Sequence, residues 1–160
     1  STPIKSSAAS DVYKRQDDIP RIAQLERLCF SEPWSVQSLT ACCKNPEYIF
    51  FTAKDKNENI AGYCSMRYVL NEAEICNVAV DAKYRRMGAA SALVREIIKT
   101  ACELHLKSIS LEVRESNEAA ISLYEKFGFN RSGVRRGFYE KPREDAFIMT
   151  KQIEGKTEEI

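Results

Sequence analysis

Asp81-Ala82-Lys83-Tyr84-Arg85-Arg86-Met87-Gly88-Ala89-Ala90-Ser91 joins a β-rich stretch to a long helical pattern. On its upstream side Asn77, Val78, Ala79 and Val80 close a strand pattern over residues 73–80. Downstream, Ala92, Leu93, Ile97, Thr100, Ala101 and Leu104 recur at helical spacing, which predicts a helix over about 88–104. Gly88, Ala89 and Ala90 have almost no side chain, so backbone N–H groups at the helix start can approach an anion, whose charge the helix dipole favours. The same residues also read as an ordinary strand-to-helix turn, with solvated arginines and small residues that permit close packing. A Walker A lysine and the full dinucleotide glycine fingerprint are both missing, which argues against an ATPase or a Rossmann enzyme.

Working upstream, Tyr48–Lys54 and residues 60–70 are rich in aromatic and β-branched residues around the polar turn Asp55-Lys56-Asn57-Glu58-Asn59, a hairpin pattern that residues 73–80 extend as a meander. Asp17 and Asp18 are cap candidates for a first helix, with Pro20 early in it and Ile19, Ile22, Leu25 and Leu28 as its apolar set. It should end near Cys29 or Phe30. A turn through Glu32, Pro33 and Trp34 follows, with Ser35 capping a second helix to about Lys44. Residues 1–16 read as poorly structured or artificially appended, 17–153 as a single domain, and 154–160 as a polar tail.

Downstream, Ser108–Arg114 alternates, with Ile109, Leu111 and Val113 on one face and Ser110, Glu112 and Arg114 on the other. A helix-covered central strand should be apolar on both faces, so the polar face is solvated, paired or lining a cleft. A helix over about 117–127 follows, with Gly128 as its left-handed cap, and then two strands over 129–138 and 145–153. Tyr124 shares a helix face with Ala120, Leu123 and Phe127 and reads first as a core aromatic; Asn117 reads as an N-cap with capacity to spare for a ligand. The order gives one α/β domain, a mixed sheet flanked by helices.

A length of 160 residues suits one domain, and a net charge of +1 gives no global field toward nucleic acid or an anionic membrane. The six cysteines lie in apolar stretches without metal or redox spacing and read as reduced core thiols, so no metal site is expected and the compartment is a reducing cytosol. No apolar run reaches the roughly 18 residues of a membrane span, and the first residues carry no signal-peptide pattern. The single histidine, His105, reads as a surface helix terminus, which disfavours histidine-centred chemistry.

Together these residues resemble the GNAT superfamily of acetyltransferases, whose Arg/Gln-x-x-Gly-x-Gly/Ala motif stands here as Arg85-Arg86-Met87-Gly88-Ala89-Ala90. Leu111-Glu112-Val113-Arg114-Glu115-Ser116-Asn117 and Leu123-Tyr124-Glu125-Lys126-Phe127-Gly128-Phe129 follow it in the family's order. With Pro33-Trp34-Ser35 upstream and Arg135-Arg136-Gly137-Phe138-Tyr139 downstream, the chain is similar to the RimI-type ribosomal-protein alanine N-acetyltransferases over about 17–153. Met87 stands where glutamine is usual and Ala90 where glycine is commoner, yet neither change removes a backbone N–H. The family's first strand finds only a weak match at residues 12–16.

The resemblance implies a mostly antiparallel sheet with about four helices, acetyl-CoA as donor, and a protein acceptor with a free N-terminus, with no direct nucleic-acid binding. It implies that Val78, Ala79 and Val80 lie along the pantetheine arm, that Arg85, Arg86, Met87, Gly88, Ala89, Ala90 and Ser91 hold the pyrophosphate, and that Asn117 touches the cofactor. Glu112 becomes the general base that takes a proton from the substrate ammonium, and Tyr124 the partner of the departing sulfur. A tyrosine near 10 against a thiol near 8.5 makes full proton transfer uphill, which leaves hydrogen bonding as the main role of Tyr124. Phe30, Trp34 and Tyr139 fall on the acceptor side, although core packing is the simpler reading for Trp34 and Phe138. An α-amine near 8 lies about 2.5 below lysine, roughly 3.4 kcal/mol less deprotonation work, and favours an N-terminal acceptor. Lysine or a small amine as acceptor, and a non-catalytic CoA-binding module, are the alternatives.

Overall fold

Strand β1 (Lys5–Ala8) runs antiparallel to β2 (Tyr48–Lys54), and β2 antiparallel to β3 (Ile60–Val69), in a computed structural model that describes residues 4–8 and 12–153. Beside β3 lies β4 (Glu72–Val80), which ends at a 3-10 turn (Ala82–Tyr84) before α3 (Ala89–Glu103). Helices α1 (Val12–Cys29) and α2 (Val36–Lys44) complete a compact unit made of the described residues up to 67 together with 76–97. Its core gathers Ile19, Ile22, Leu25, Leu39, Phe50 and Tyr63, with the rings of Phe50 and Tyr63 6.1 Å apart. Ser35 caps α2 by accepting from the Ser38 N–H at 3.1 Å, as its sequence position predicts.

Residues 68–75 and those from 98 on form the second compact unit. There the first residues of β4 pair in parallel with β5 (Ser108–Arg114), whose antiparallel neighbour is β7 (Arg143–Gln152), itself antiparallel to the edge strand β6 (Asn130–Glu140). Helix α4 (Glu118–Lys126) ends at Gly128, whose φ of 91° is the left-handed conformation expected of a C-cap glycine. Ile109, Leu111 and Val113 are buried on β5 beside partly buried Ser110, Glu112 and Arg114, so the alternation read from the sequence is real. Among the described residues the architecture is the expected α/β fold, a mostly antiparallel sheet with four α-helices.

Several expectations change. Lys5–Ala8 is a strand inside the segment expected to lack structure, and residues 12–16 begin α1 and do not supply the first strand. Pro20 therefore lies inside the helix. Burial of Ile19, Ile22 and Ala23 around it outweighs the local cost of a missing N–H. Leu28 is 61% exposed because the stripe from Ile22 continues through Cys29, one residue on. Leu104 falls just past the end of α3 and is exposed, and His105 leaves the helix there with φ 56°. Of the cysteines, Cys43 and Cys64 are buried, but Cys102 is exposed, so core packing does not account for all six. The expected tail at 154–160, with residues 1–3 and 9–11, lies outside the described residues. Among the described residues no helix is long and apolar enough to cross a membrane.

Candidate active site

In the first unit the turn after β4 is pinned from two sides. Arg21 donates to the Ile60 carbonyl at 3.1 and 2.8 Å and pairs with Asp81 at 2.9 Å, joining the head of β3 to the end of β4. Tyr84 donates its hydroxyl to Asp55 at 2.8 Å from the far side of the 3-10 turn. The Arg21 hydrogen bond holds the Asp81 carboxyl below the usual carboxylate range. Beyond these pins, Arg86 and Gly88 both take positive φ, 64° and 82°. Left-handed residues in such a turn direct backbone N–H groups into a concavity that suits an anion. The first helical bond of α3 is the Ala92 N–H to the Gly88 carbonyl at 2.9 Å, so the N–H groups of Ala89, Ala90 and Ser91 have no carbonyl within the helix. A Cβ added to Gly88 would meet nothing within 4 Å, so its backbone stands open to a ligand. The arginines and Met87 are exposed, and Met87 takes no part in the core.

The second unit holds Glu112, Asn117, Tyr124 and Tyr139. The Glu112 side chain is 15% exposed and its Oε1 lies 3.1 Å from Arg135 Nε. Burial first, and the neighbouring Glu74 carboxyl next, push the Glu112 carboxyl above the ordinary glutamate range, while Arg135 draws it down. Arg114 pairs with Glu144 at 3.2 Å, donates to the Lys141 and Pro142 carbonyls, and stacks its guanidinium 4.2 Å from the Tyr139 ring centre. Glu144 in turn accepts from the Ser116 N–H at 2.7 Å, just ahead of α4. Glu112 and Arg114 on the polar face of β5 are therefore both paired. Burial raises the Tyr139 hydroxyl, against the pull of Arg114. Asn117 caps α4 through the Ala120 N–H at 3.2 Å, and Tyr124 is buried with its ring edge-on to Phe129 at 5.7 Å.

Glu112 and Tyr139 thus share one charge network, whereas Asn117 and Tyr124 are held by local capping and packing. In the first unit Phe30 and Trp34 are partly buried against the core. The expectation of core packing fails for Phe138, which is 46% exposed. The β6–β7 register shifts between Arg135 and Tyr139, where Gly137 takes φ 61°, so strand alternation does not carry through Phe138. Sequence reasoning missed Glu74, Arg135 as the partner of Glu112, and Glu26. For Glu26 a signal existed: a carboxylate at i+4 and i+7 from Ile22 and Ile19, on the apolar face of α1. Among the described residues no group of three or more His, Cys, Asp or Glu side chains is placed to hold a metal.

Arg135→Ala removes the one cation at 3.1 Å from Glu112, so the Glu112 carboxyl should rise further. Because Arg135 is 57% exposed, solvent screens the pair and the rise is expected to be small. NMR titration of the Glu112 carboxyl measures it.

A profile of the acetyltransferase (GNAT) family matches residues 19–129, and the chain belongs to that family. It is 36% identical over 138 residues to the ribosomal protein bS18-alanine N-acetyltransferase of Escherichia coli (strain K12), covering 85% of this chain and 92% of that protein. The enzyme of the same name from Haemophilus influenzae is 34% identical over 136 residues, covering 82% and 90%. The crystal structure of the ribosomal-protein-S18-alanine N-acetyltransferase from Escherichia coli superposes with a TM-score of 0.84 at 31% identity, covering 98% of each chain. Arabidopsis thaliana NAA60 in complex with a bisubstrate analogue shares the fold at 20% identity, with a TM-score of 0.83 over 94% of this chain and 99% of that one.

Proposed function

We propose that this chain transfers the acetyl group of acetyl-CoA to the N-terminal α-amine of a ribosomal protein that begins with alanine. The observation that carries the reading is the left-handed pair Arg86 and Gly88 just ahead of the unpaired amides of α3, a backbone that fits a pyrophosphate. Acetyl-CoA supplies the activated acetyl thioester. Residues 85–91 hold its phosphates, the backbone of Val78, Ala79 and Val80 lies along the pantetheine arm, and Asn117 touches the cofactor. Glu112 accepts a proton from the substrate ammonium, directly or through one water, a task that a carboxyl raised above its ordinary range performs better. Tyr124 hydrogen-bonds the departing sulfur. Phe30, Trp34 and Tyr139 bear on the acceptor peptide. Relatives named for bS18 alanine acetylation support the acceptor, and in this reading the reaction is cytoplasmic and makes no direct contact with nucleic acid.

The test compares acetyl-CoA turnover on a peptide whose one free amine is an N-terminal alanine, on an N-blocked lysine peptide and on spermidine. The alanine peptide should exceed the lysine peptide by about a hundredfold or more in kcat/KM, given the easier deprotonation of an α-amine. Turnover confined to lysine or spermidine would move the enzyme to another acceptor class. Acetyl-CoA binding without turnover on any of them would make it a regulatory module.

A further inference from the structure

Glu26 is a carboxylate that the proposed reaction leaves unused. Its exposure is 0%, and among the described residues it is the one charged member of the buried set. It occupies α1 where the stripe of Ile19, Ile22 and Ala23 calls for an apolar residue. Burial raises its carboxyl above the usual range, a cost that hydrogen bonds to the charged form oppose. The Trp34 backbone N–H donates to Oε1 at 2.8 Å, and the Tyr63 hydroxyl to Oε2 at 2.6 Å. The Asn77 amide donates to both oxygens, at 3.2 and 3.0 Å. Every partner is a donor and none is a cation, so the arrangement is made for an acceptor with two oxygens. The partners come from three places: the 30–35 turn, β3, and the residue of β4 just before Val78.

We propose that Glu26 is a positioning residue that clamps the 30–35 turn to β4 at Asn77, fixing the acceptor-facing turn against the strand that takes the donor. The proposal rests on the reading that this turn bears on the acceptor peptide. Strand β4 is held by its own ladder, so loss of the clamp frees the turn and leaves donor binding in place. The shape-conserving Glu26→Gln keeps much of the clamp. Its carbonyl accepts from Trp34, and its amide faces the Tyr63 hydroxyl and a flipped Asn77 amide, both able to accept.

Trp34 is the single tryptophan of the chain, so its fluorescence reports on the turn without need of activity. In Glu26→Ala, acrylamide quenching of Trp34 should rise about twofold and the KM for an alanine-initiated peptide about tenfold. The calorimetric Kd for acetyl-CoA should stay within about threefold, and Glu26→Gln should return quenching to the parent value and KM to within about threefold of it. If Glu26→Ala does not fold, Tyr63→Phe, which removes one donor, should raise the acceptor KM about threefold, with a rise in quenching smaller than about twofold. Unchanged quenching and unchanged acceptor KM in a folded variant overturn the clamp. If the parent protein does not turn over the alanine peptide, the functional reading falls, and the difference in Trp34 quenching decides the clamp by itself.

Discussion

Glu112→Gln is expected to lower kcat by about 10²–10⁴-fold, the usual worth of a positioned general base, while the Kd for acetyl-CoA is unchanged. The substitution keeps the shape of the side chain and removes only its ability to accept a proton. Its pH dependence follows from the direction in which the fold moves this carboxyl. Burial and Glu74 raise it above the ordinary glutamate range, so the protonated, inactive form persists to higher pH than it would on an exposed glutamate. Activity of the parent enzyme should therefore fall as pH drops through that raised value, on top of the titration of the amine near 8. The same sign governs folding: a raised carboxyl favours the folded state most at low pH, and that contribution is lost as pH rises through its folded value. In Glu112→Gln the carboxyl limb disappears from kcat/KM and the amine limb remains. A variant that keeps kcat within about threefold of the parent across pH would remove Glu112 from the role of base.

Local chemistry made much of the fold legible. The three-residue alternation of Ile109, Leu111 and Val113 located β5 to the residue, and Ser35, Asn117 and Gly128 marked helix ends with side-chain or backbone requirements that act within four residues. What escaped depends on partners far along the chain. Glu26 is satisfied by Tyr63 and Asn77, 37 and 51 residues away, and no local pattern says which donors will arrive. Arg135 meets Glu112 across a strand order in which β7 lies between β5 and β6, a topology that spacing alone does not reveal. The start of α1 escaped for the opposite reason: a local rule, proline near a helix start, was overridden by burial on both sides of Pro20. The stretch proposed to hold the phosphates was legible in residue type, whereas the positive φ of Arg86 and Gly88 that supports the proposal was not.

Gly62→Val is expected to cost about 3 kcal/mol of stability, at the upper end of what overpacking costs, and to weaken acetyl-CoA binding with it. A Cβ at Gly62 would lie 2.8 Å from the Ala79 carbonyl oxygen, 3.1 Å from Val80 Cγ2 and 3.4 Å from Val80 Cα. Two of those three atoms are backbone, so the clash is not relieved by rotating a side chain; β3 or β4 has to move. Gly62 is itself fixed opposite Ala53 in the β2–β3 ladder, so the yielding part is the end of β4, at the expense of the 2.9 Å bond from the Asp81 N–H to the Ala61 carbonyl. That end carries Val78, Ala79 and Val80, the proposed seat of the pantetheine arm. Thermal unfolding should show a fall of roughly 6–12 °C, given about 2–4 °C per kcal/mol for a chain of this size. Calorimetry should show acetyl-CoA affinity reduced by about tenfold, as for a backbone contact displaced from its partner. Gly88→Ala provides the contrast, because its Cβ meets nothing within 4 Å and the cost is confined to the left-handed backbone, about 1–2 kcal/mol. Should Gly62→Val melt within about 2 °C of the parent, β4 has slack at Ala79, and the close approach of Gly62 does not set the position of the donor strand.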